Sequence, residues 1–436
     1  MKSIKVGLLG IGTVGSGTFK VLQRNQQEIM RRAGRGIEIV MVADRDTERA
    51  RSVTGGACEI VNDANLVVNH PDIDIVIELI GGYTIAKELV LKAIANGKHV
   101  VTANKALLAT HGNEIFAAAH AKGVMVAFEA AVAGGIPIIK ALREGLSANR
   151  IEWIAGIING TSNFILSEMR SKGLAFDDVL KEAQRLGYAE ADPTFDIEGV
   201  DAAHKLTLLA SIAFGVPIQF DKAYTEGISR LTADDIRYAE QLGYRIKLLG
   251  IAKRTEAGIE LRVHPTLIPT QRLIANVEGV MNAVLVKGDA VGATLYYGAG
   301  AGAEPTASAV VADLVDITRL HTADPGHRVP HLAFQPDALA DTPILPIDAV
   351  VSSYYLRMRV ADQPGVLADI TRILADANIS IDAMIQKEPA EDEQQTDIII
   401  LTHQAQEKNV NSAMAAIGNL STVLSKVTRI RMEQLN

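Results

Sequence analysis

The chain has a single cysteine, Cys58, among its 436 residues. That excludes an internal disulfide and a cysteine-rich metal centre, and it fits a reducing cytoplasm. Cys58 lies in the glycine-rich stretch TGGACEI with no histidine near it in sequence. It is expected to be inert, so chemistry that needs a thiolate nucleophile is disfavoured. Basic charge is also scarce. Lys and Arg total 43 against 51 Asp and Glu, a net charge of -8, with no basic run. Nothing electrostatic therefore recommends nucleic acid or an anionic membrane as partner. Long apolar runs are missing too. The N-terminal MKSIKVGLLGIGTVGSG is short, broken by glycines and without a small-residue cleavage pattern, so it reads as a strand rather than a signal peptide. The stretch around 206–218 is interrupted by Gly215 and Pro217 and is too short to span a bilayer. There is no internal repeat and no low-complexity segment. A soluble cytoplasmic protein is expected.

What is present is a globular composition, 48% hydrophobic and 22% charged, in a chain long enough for two or three domains. Over residues 1–130, IKVGLLG, IEIVMVAD, IDIVIELIG, KHVVTA and VMVAFEA read as strands buried on both faces, because they are nearly continuous in apolar residues. Helical stretches alternate with them, among them TIAKELVLKAIANGK ending at Gly97. That alternation predicts an α/β fold, a Rossmann-type doubly wound parallel sheet. Residues 131–306 predict a mixed α+β domain, with helices at 135–147, 162–171, 176–186 and 199–214. Its strands are IEWIAGII, IELRVHPTLI and AVLVKGDAV. ASAVVADLVDITRL, residues 307–320, is a helix expected to return to the first domain. Residues 321–350 read as a linker rich in Pro, His and Asp. Residues 351–436 then run strand, helix, strand, strand, helix, strand, the ferredoxin-like order.

Two stretches carry chemistry. Gly10-Ile11-Gly12-Thr13-Val14-Gly15 follows a strand and opens a helix. The first glycine turns tightly, the second admits a pyrophosphate, and the third lets helix and strand pack closely. The alternative is a glycine turn in an unrelated α/β sheet. Asp44 ends the second strand, where an acid grips the ribose 2′-hydroxyl of NAD. Arg45 beside it would instead accept the 2′-phosphate of NADP, so the choice stays open. The second stretch, GYAEADPTFDIEGVDAAHK, places five carboxylates (Glu190, Asp192, Asp196, Glu198, Asp201) ahead of Lys205. It does not match a calcium loop, and Pro193 stiffens its middle. Asp201 and Lys205 stand four apart and share a helix face. They are either a surface ion pair or a built site, and the apolar LTLLASIAF that follows favours burial.

Through GLLGIGTVG, HVVTANKALLA, FEAAVAGGIPII, NGTSNFIL and GYAEADPTFDIEGVDAAHK, the chain closely resembles the monofunctional homoserine dehydrogenases. Its tail, VADQPGVLADITRILADANISI, resembles an ACT domain, an amino-acid-sensing module. The resemblance covers essentially the whole chain. It implies reversible reduction of L-aspartate 4-semialdehyde to L-homoserine with NADPH or NADH, on the route to threonine, methionine and isoleucine. By resemblance, residues 131–306 form the catalytic and dimerisation domain and residues 351–436 the ACT regulatory domain. No kinase-like segment precedes the glycine loop, so a monofunctional dehydrogenase is expected.

By the same resemblance, Lys205 is the proton donor, Glu190 and Asp201 bind substrate, and Gly187 and Gly302 touch the coenzyme. Lys105 matches a family lysine near both, although a helix-start lysine facing water is the plainer reading. Glu129, Val132, Gly134 and Ile136 match a site for a monovalent cation, sodium or potassium, held mainly by backbone carbonyls. A tight domain crossover would use the same small residues. Reducing an aldehyde needs a hydride at carbon and a proton at oxygen, which a positioned lysine supplies. The Asp362-Gln363-Pro364-Gly365 turn precedes a helix whose free amides suit an amino-acid carboxylate. Threonine is the candidate effector, and the alternative is a ferredoxin-like tail used only for oligomerisation. A homodimer or homotetramer is expected by resemblance. Two competing readings are a non-catalytic nucleotide- and amino-acid-sensing ACT protein and a dehydrogenase for another amino-acid-like alcohol. The set Lys205, Glu190, Asp201 and Lys105 argues against the sensor.

Overall fold

Six strands build the nucleotide-binding sheet: β1 (Ile4–Leu9), β2 (Ile37–Ala43), β3 (Glu59–Val61), β4 (Ile75–Glu78), β5 (His99–Thr102) and β6 (Val126–Ala127). They lie in the order β3-β2-β1-β4-β5-β6, and every neighbouring pair is parallel. The order reverses between β1 and β4, so the crevice at the carboxyl ends of those strands is the ligand position of a doubly wound sheet. The continuous apolar runs follow from burial on both faces. Val76, Ile77, Val100 and Val101 are fully buried. The computed structural model describes residues 2–386 and 394–436.

Two compact units emerge, one of Met1–Gly160, Asp201–Ala223 and Val280–Thr342, the other of Thr161–Val200, Tyr224–Gly279 and Pro343–Asn436. In the first, the returning helix is Ala303–Leu320, four residues longer at its start than the sequence pattern indicates. Its Ala307, Val310, Leu314 and Ile317 share one buried core with Val6, Leu8 and Ile11. Gly17 permits the approach, since a Cβ there would sit 2.4 Å from the Ala303 carbonyl oxygen. This unit also holds three antiparallel strands, Ile151–Ile157, Met281–Gly288 and Gly292–Ala299. The last of these is not evident from the sequence pattern.

The helix expected at 135–147 is shorter, running from Ile138 to Gly145 with a change of pitch. Ile138–Lys140 is a single turn, and Ala141–Gly145 continues as a π-helical turn. Gly134 and Ala133 ahead of it have positive φ of 50° and 55°, and Pro137 fixes the entry, so the segment starts late and ends at Gly145. Residues 321–350 are pinned along their length. Arg328 donates to the Gly123 carbonyl at 2.8 Å, and His331 Nε2 accepts from the Val126 amide at 3.1 Å. Further on, the Leu345 amide donates to the Ile259 carbonyl at 2.8 Å.

In the second unit Tyr244–Arg254, a strand the sequence pattern did not reveal, pairs antiparallel with Ile259–Pro269. The C-terminal module has the expected order. Val351–Ala361 lies between Thr428–Met432 and Gln395–Thr402, with Ile381–Gln386 outside the latter, all antiparallel. Helices Val366–Asp376 and Glu407–Gly418 cover the sheet through Ile370, Leu374, Val410 and Ile417. Thr428–Met432 also pairs parallel with Ile259–Pro269. Arg431, fully buried on that strand, is held by Glu407 at 2.6 Å and Glu226 at 2.8 Å.

Candidate active site

The glycines of the loop after β1 stand in different steric surroundings. Gly10 has φ 92°, and a Cβ there would meet the Leu79 backbone at 2.8 Å. At Gly15 a Cβ would fall 2.1 Å from the Gly10 carbonyl oxygen, so helix Thr13–Arg24 can approach only without one. A Cβ at Gly12 would meet nothing within 4 Å. Asp44 is fixed beside this loop, accepting from the Ile11 amide at 2.7 Å and the Asp46 amide at 2.8 Å. Gly10, Gly12, Asp44, Arg45, Ile80 and Gly81 line a cavity of about 650 Å³. That volume suits a bound cofactor. Gly302, with φ 128°, starts the returning helix that packs on Gly17, which brings it beside the nucleotide-binding helix.

Across β4 and β5 the cavity wall is tied to a catalytic candidate. Glu78 and Thr102 are partners in register at the carboxyl ends of these strands. The buried Glu78 carboxylate accepts from the Ile80 and Gly81 amides, both at 3.0 Å, and from the Thr102 hydroxyl at 2.7 Å. Burial pushes its pKa up, opposed by these donors. Asn104 caps helix Lys105–Lys122 through the Leu107 amide at 3.0 Å and donates to the Gly82 carbonyl at 2.8 Å.

Lys205 and Asp201 lie in the first turns of helix Val200–Phe214, whose next residues, Leu206 and Leu208, are fully buried. Lys205 Nζ stands 2.6 Å from an Asp201 carboxylate oxygen and donates to the Ile158 carbonyl at 2.7 Å. Asn159 donates to the same Asp201 oxygen at 2.9 Å. Lys105 Nζ approaches the other oxygen at 3.3 Å. Asp201 is buried, which alone would raise its pKa. Lys205 and then Lys105 outweigh that and lower it to about 2. The surface-pair alternative is thereby excluded, and Lys105 is not simply a solvated lysine. Ile158 and Asn159 were not singled out by sequence reasoning. The only signals were that Asn159 opens NGTSNFIL and that Ile158, just before it, ends the strand stretch IEWIAGII.

Gly187 and Glu190 belong to the second unit and are exposed. Gly187, with φ 76°, follows helix Phe176–Arg185, and Gln184 donates to the Glu190 carbonyl at 3.1 Å. Around the expected cation ligands, the Glu129 carboxylate is buried and accepts from the Ile139 amide at 2.9 Å and the Lys140 amide at 2.8 Å. Its side chain therefore caps a helical turn, and the Ile136 carbonyl accepts from the Ile138 amide at 2.8 Å. Gly134 is pressed against the Gly300 carbonyl, where a Cβ would stand 2.5 Å away. Burial, then Asp313, raises Glu129 to about 7. Among the described residues no group of three or more His, Cys, Asp or Glu side chains is arranged to hold a metal. Cys58 is half-buried and its thiol pKa is raised by burial, so the thiolate is disfavoured.

A glycine-loop cavity joined within one unit to a buried carboxylate held between two part-buried lysines fits a nicotinamide-dependent oxidoreductase. The family models for the homoserine dehydrogenase NAD binding domain, homoserine dehydrogenase and the ACT domain match residues 10–129, 137–315 and 354–421. Homoserine dehydrogenases of Pseudomonas aeruginosa and Neisseria gonorrhoeae are 67% and 62% identical over the full length of both chains. The crystal structure of a homoserine dehydrogenase from Thiobacillus denitrificans, 73% identical, superposes with a TM-score of 0.96 over 100% of this chain and 99% of its own. The chain belongs to the homoserine dehydrogenase family.

Proposed function

We propose that this chain reduces L-aspartate 4-semialdehyde reversibly to L-homoserine, with Lys205 as the group that protonates the developing alkoxide. The observation that carries the assignment is the placement of the part-buried Lys205 Nζ between the buried Asp201 carboxylate and the Ile158 carbonyl. Asp201 aims the ammonium, Asn159 orients Asp201, and Lys105 adds a second positive charge at the same carboxylate. A nicotinamide coenzyme, when bound, supplies or accepts the hydride. Gly10, Gly12, Thr13, Val14 and Gly15 would hold its pyrophosphate and Asp44 or Arg45 its adenosine ribose, with Lys105, Gly187 and Gly302 as further contacts. In the forward direction Lys205 gives its proton to the carbonyl oxygen. In reverse, its neutral amine takes the hydroxyl proton.

The remaining assignments rest on family resemblance. Glu190 meets the substrate's ammonium, and sodium or potassium sits on the carbonyls of Glu129, Val132, Gly134 and Ile136. Threonine is the proposed effector, a homodimer or homotetramer the assembly, and the cytoplasm the compartment. The single half-buried cysteine and a helix set in which none, among the described residues, is long and apolar enough to cross a membrane support that placement. The sensor alternative is not favoured. Nicotinamide absorbance with L-homoserine and NAD⁺ or NADP⁺ tests the proposal, repeated for Lys205→Ala. Homoserine-dependent reduction that collapses in the variant upholds it. Full turnover in Lys205→Ala removes Lys205 from the chemistry.

A further inference from the structure

Glu78 is an acid buried at the end of an otherwise apolar strand, IVIE, and no step above uses it. We propose that Glu78, through Thr102 and Asn104, is a positioning residue that locks the wall of the coenzyme cavity to the helix start carrying Lys105. The inference rests on the functional reading given above.

Two features support it. First, the wall has little packing of its own. Gly81 and Gly82 both have left-handed φ, 71° and 77°, and a Cβ at either would meet nothing within 4 Å. Ile80 is 40% exposed. The segment is therefore held by hydrogen bonds: the Glu78 carboxylate takes the Ile80 and Gly81 amides, and Asn104 takes the Gly82 carbonyl. Second, the two sides meet at one hydroxyl. Thr102 Oγ1 donates to Glu78 at 2.7 Å and accepts from the Asn104 amide at 3.0 Å. The next residue after Asn104 is Lys105, which reaches Asp201 at 3.3 Å. An apolar residue at position 78 would satisfy the sheet without the desolvation that a buried carboxylate brings. The acid is explained by what it holds, namely two amides of the cavity wall and the hydroxyl leading to Lys105.

The test uses the intact enzyme. Thr102→Val keeps the side chain's volume and deletes the shared hydroxyl, and Thr102→Ser retains it. Glu78→Gln, which keeps an acceptor for the two amides but no charge, serves as a second variant. Readouts are the NADPH and NADH dissociation constants from nicotinamide fluorescence, kcat, KM for coenzyme, and Tm. In Thr102→Val the coenzyme dissociation constant is expected to rise and kcat to fall, each by about tenfold, with Tm lower by only a few degrees as the Asn104 amide and Glu78 each lose one buried partner. Thr102→Ser is expected to recover most of both, and Glu78→Gln to fall between. Wild-type binding and turnover in Thr102→Val overturn the proposal, as does a loss that tracks only the fraction unfolded or that serine fails to restore. Should the wild type show no homoserine-dependent turnover, the functional reading fails. The coenzyme dissociation constants then decide alone: unchanged in Thr102→Val overturns the inference, weakened and restored by serine upholds it.

Discussion

Replacing Asp201 by asparagine keeps the side chain's shape and removes its charge from between two ammonium groups. Its carboxyl titrates at about 2 instead of the ordinary 3.8, because Lys205 and Lys105 overcome a burial that would push it the other way. A carboxyl whose folded pKa lies below its unfolded one stabilises the protein above the unfolded value. That contribution is lost as pH falls from about 4 towards 2, and at neutral pH it is on the order of 2 kcal/mol. Deleting the charge costs more than this, since Lys205, with 12% of its side chain exposed, stays behind without its counter-ion. Breaking a buried pair from one side costs about 3–5 kcal/mol, which corresponds to a Tm lower by on the order of 10 °C. Activity falls as well. The ammonium loses the group that aims it, and kcat is expected to drop by about 10²-fold or more. Differential scanning fluorimetry at pH 7 and nicotinamide absorbance read the two effects on one preparation. Asp201→Asn melting within about 2 °C of the wild type, with kcat within about threefold, would refute the claim that this carboxylate holds Lys205 in place.

Three further outcomes follow from the geometry. Gly12→Ala, with open space around its Cβ, should leave Tm unchanged while weakening coenzyme binding. Gly15→Ala should lower both, because its Cβ would collide with the Gly10 carbonyl at 2.1 Å; calorimetry of the pair separates ligand space from packing space. Arg45→Ala should raise KM for NADP⁺ by about tenfold and leave KM for NAD⁺ nearly unchanged if the 2′-phosphate is its partner, with Asp44→Ala showing the reverse preference. At the C-terminal module, Glu407→Ala leaves the buried Arg431 short of its nearest carboxylate and should destabilise the second unit by about 3–5 kcal/mol, visible as an earlier thermal transition.

The strand and helix order of the two αβ modules was legible in the sequence. In residues 1–130, nearly continuous apolar strands alternating with helices pointed to a parallel sheet covered on both faces, and the Gly-x-Gly-x-x-Gly turn after the first strand suited a dinucleotide. The four-residue step from Asp201 to Lys205 fixed their common helix face before any fold was known. Tertiary structure decided whether that pair was buried, since burial depends on residues such as Ile158 and Asn159 that lie more than forty positions away. It alone brought Lys105 to the second oxygen of Asp201. It also shortened the helix expected at 135–147, where glycine conformation and Pro137 outweighed apolar spacing. The strands Tyr244–Arg254 and Gly292–Ala299 escaped notice for a similar reason. Their partners, Ile259–Pro269 and Met281–Gly288, supply the hydrogen bonds that make them strands, and local propensity carries no record of a partner. Glu78 illustrates the division most plainly. Its position at the end of a strand is written in the sequence, but the amides and hydroxyl that justify burying it come from a loop and a neighbouring strand that only the folded sheet places beside it.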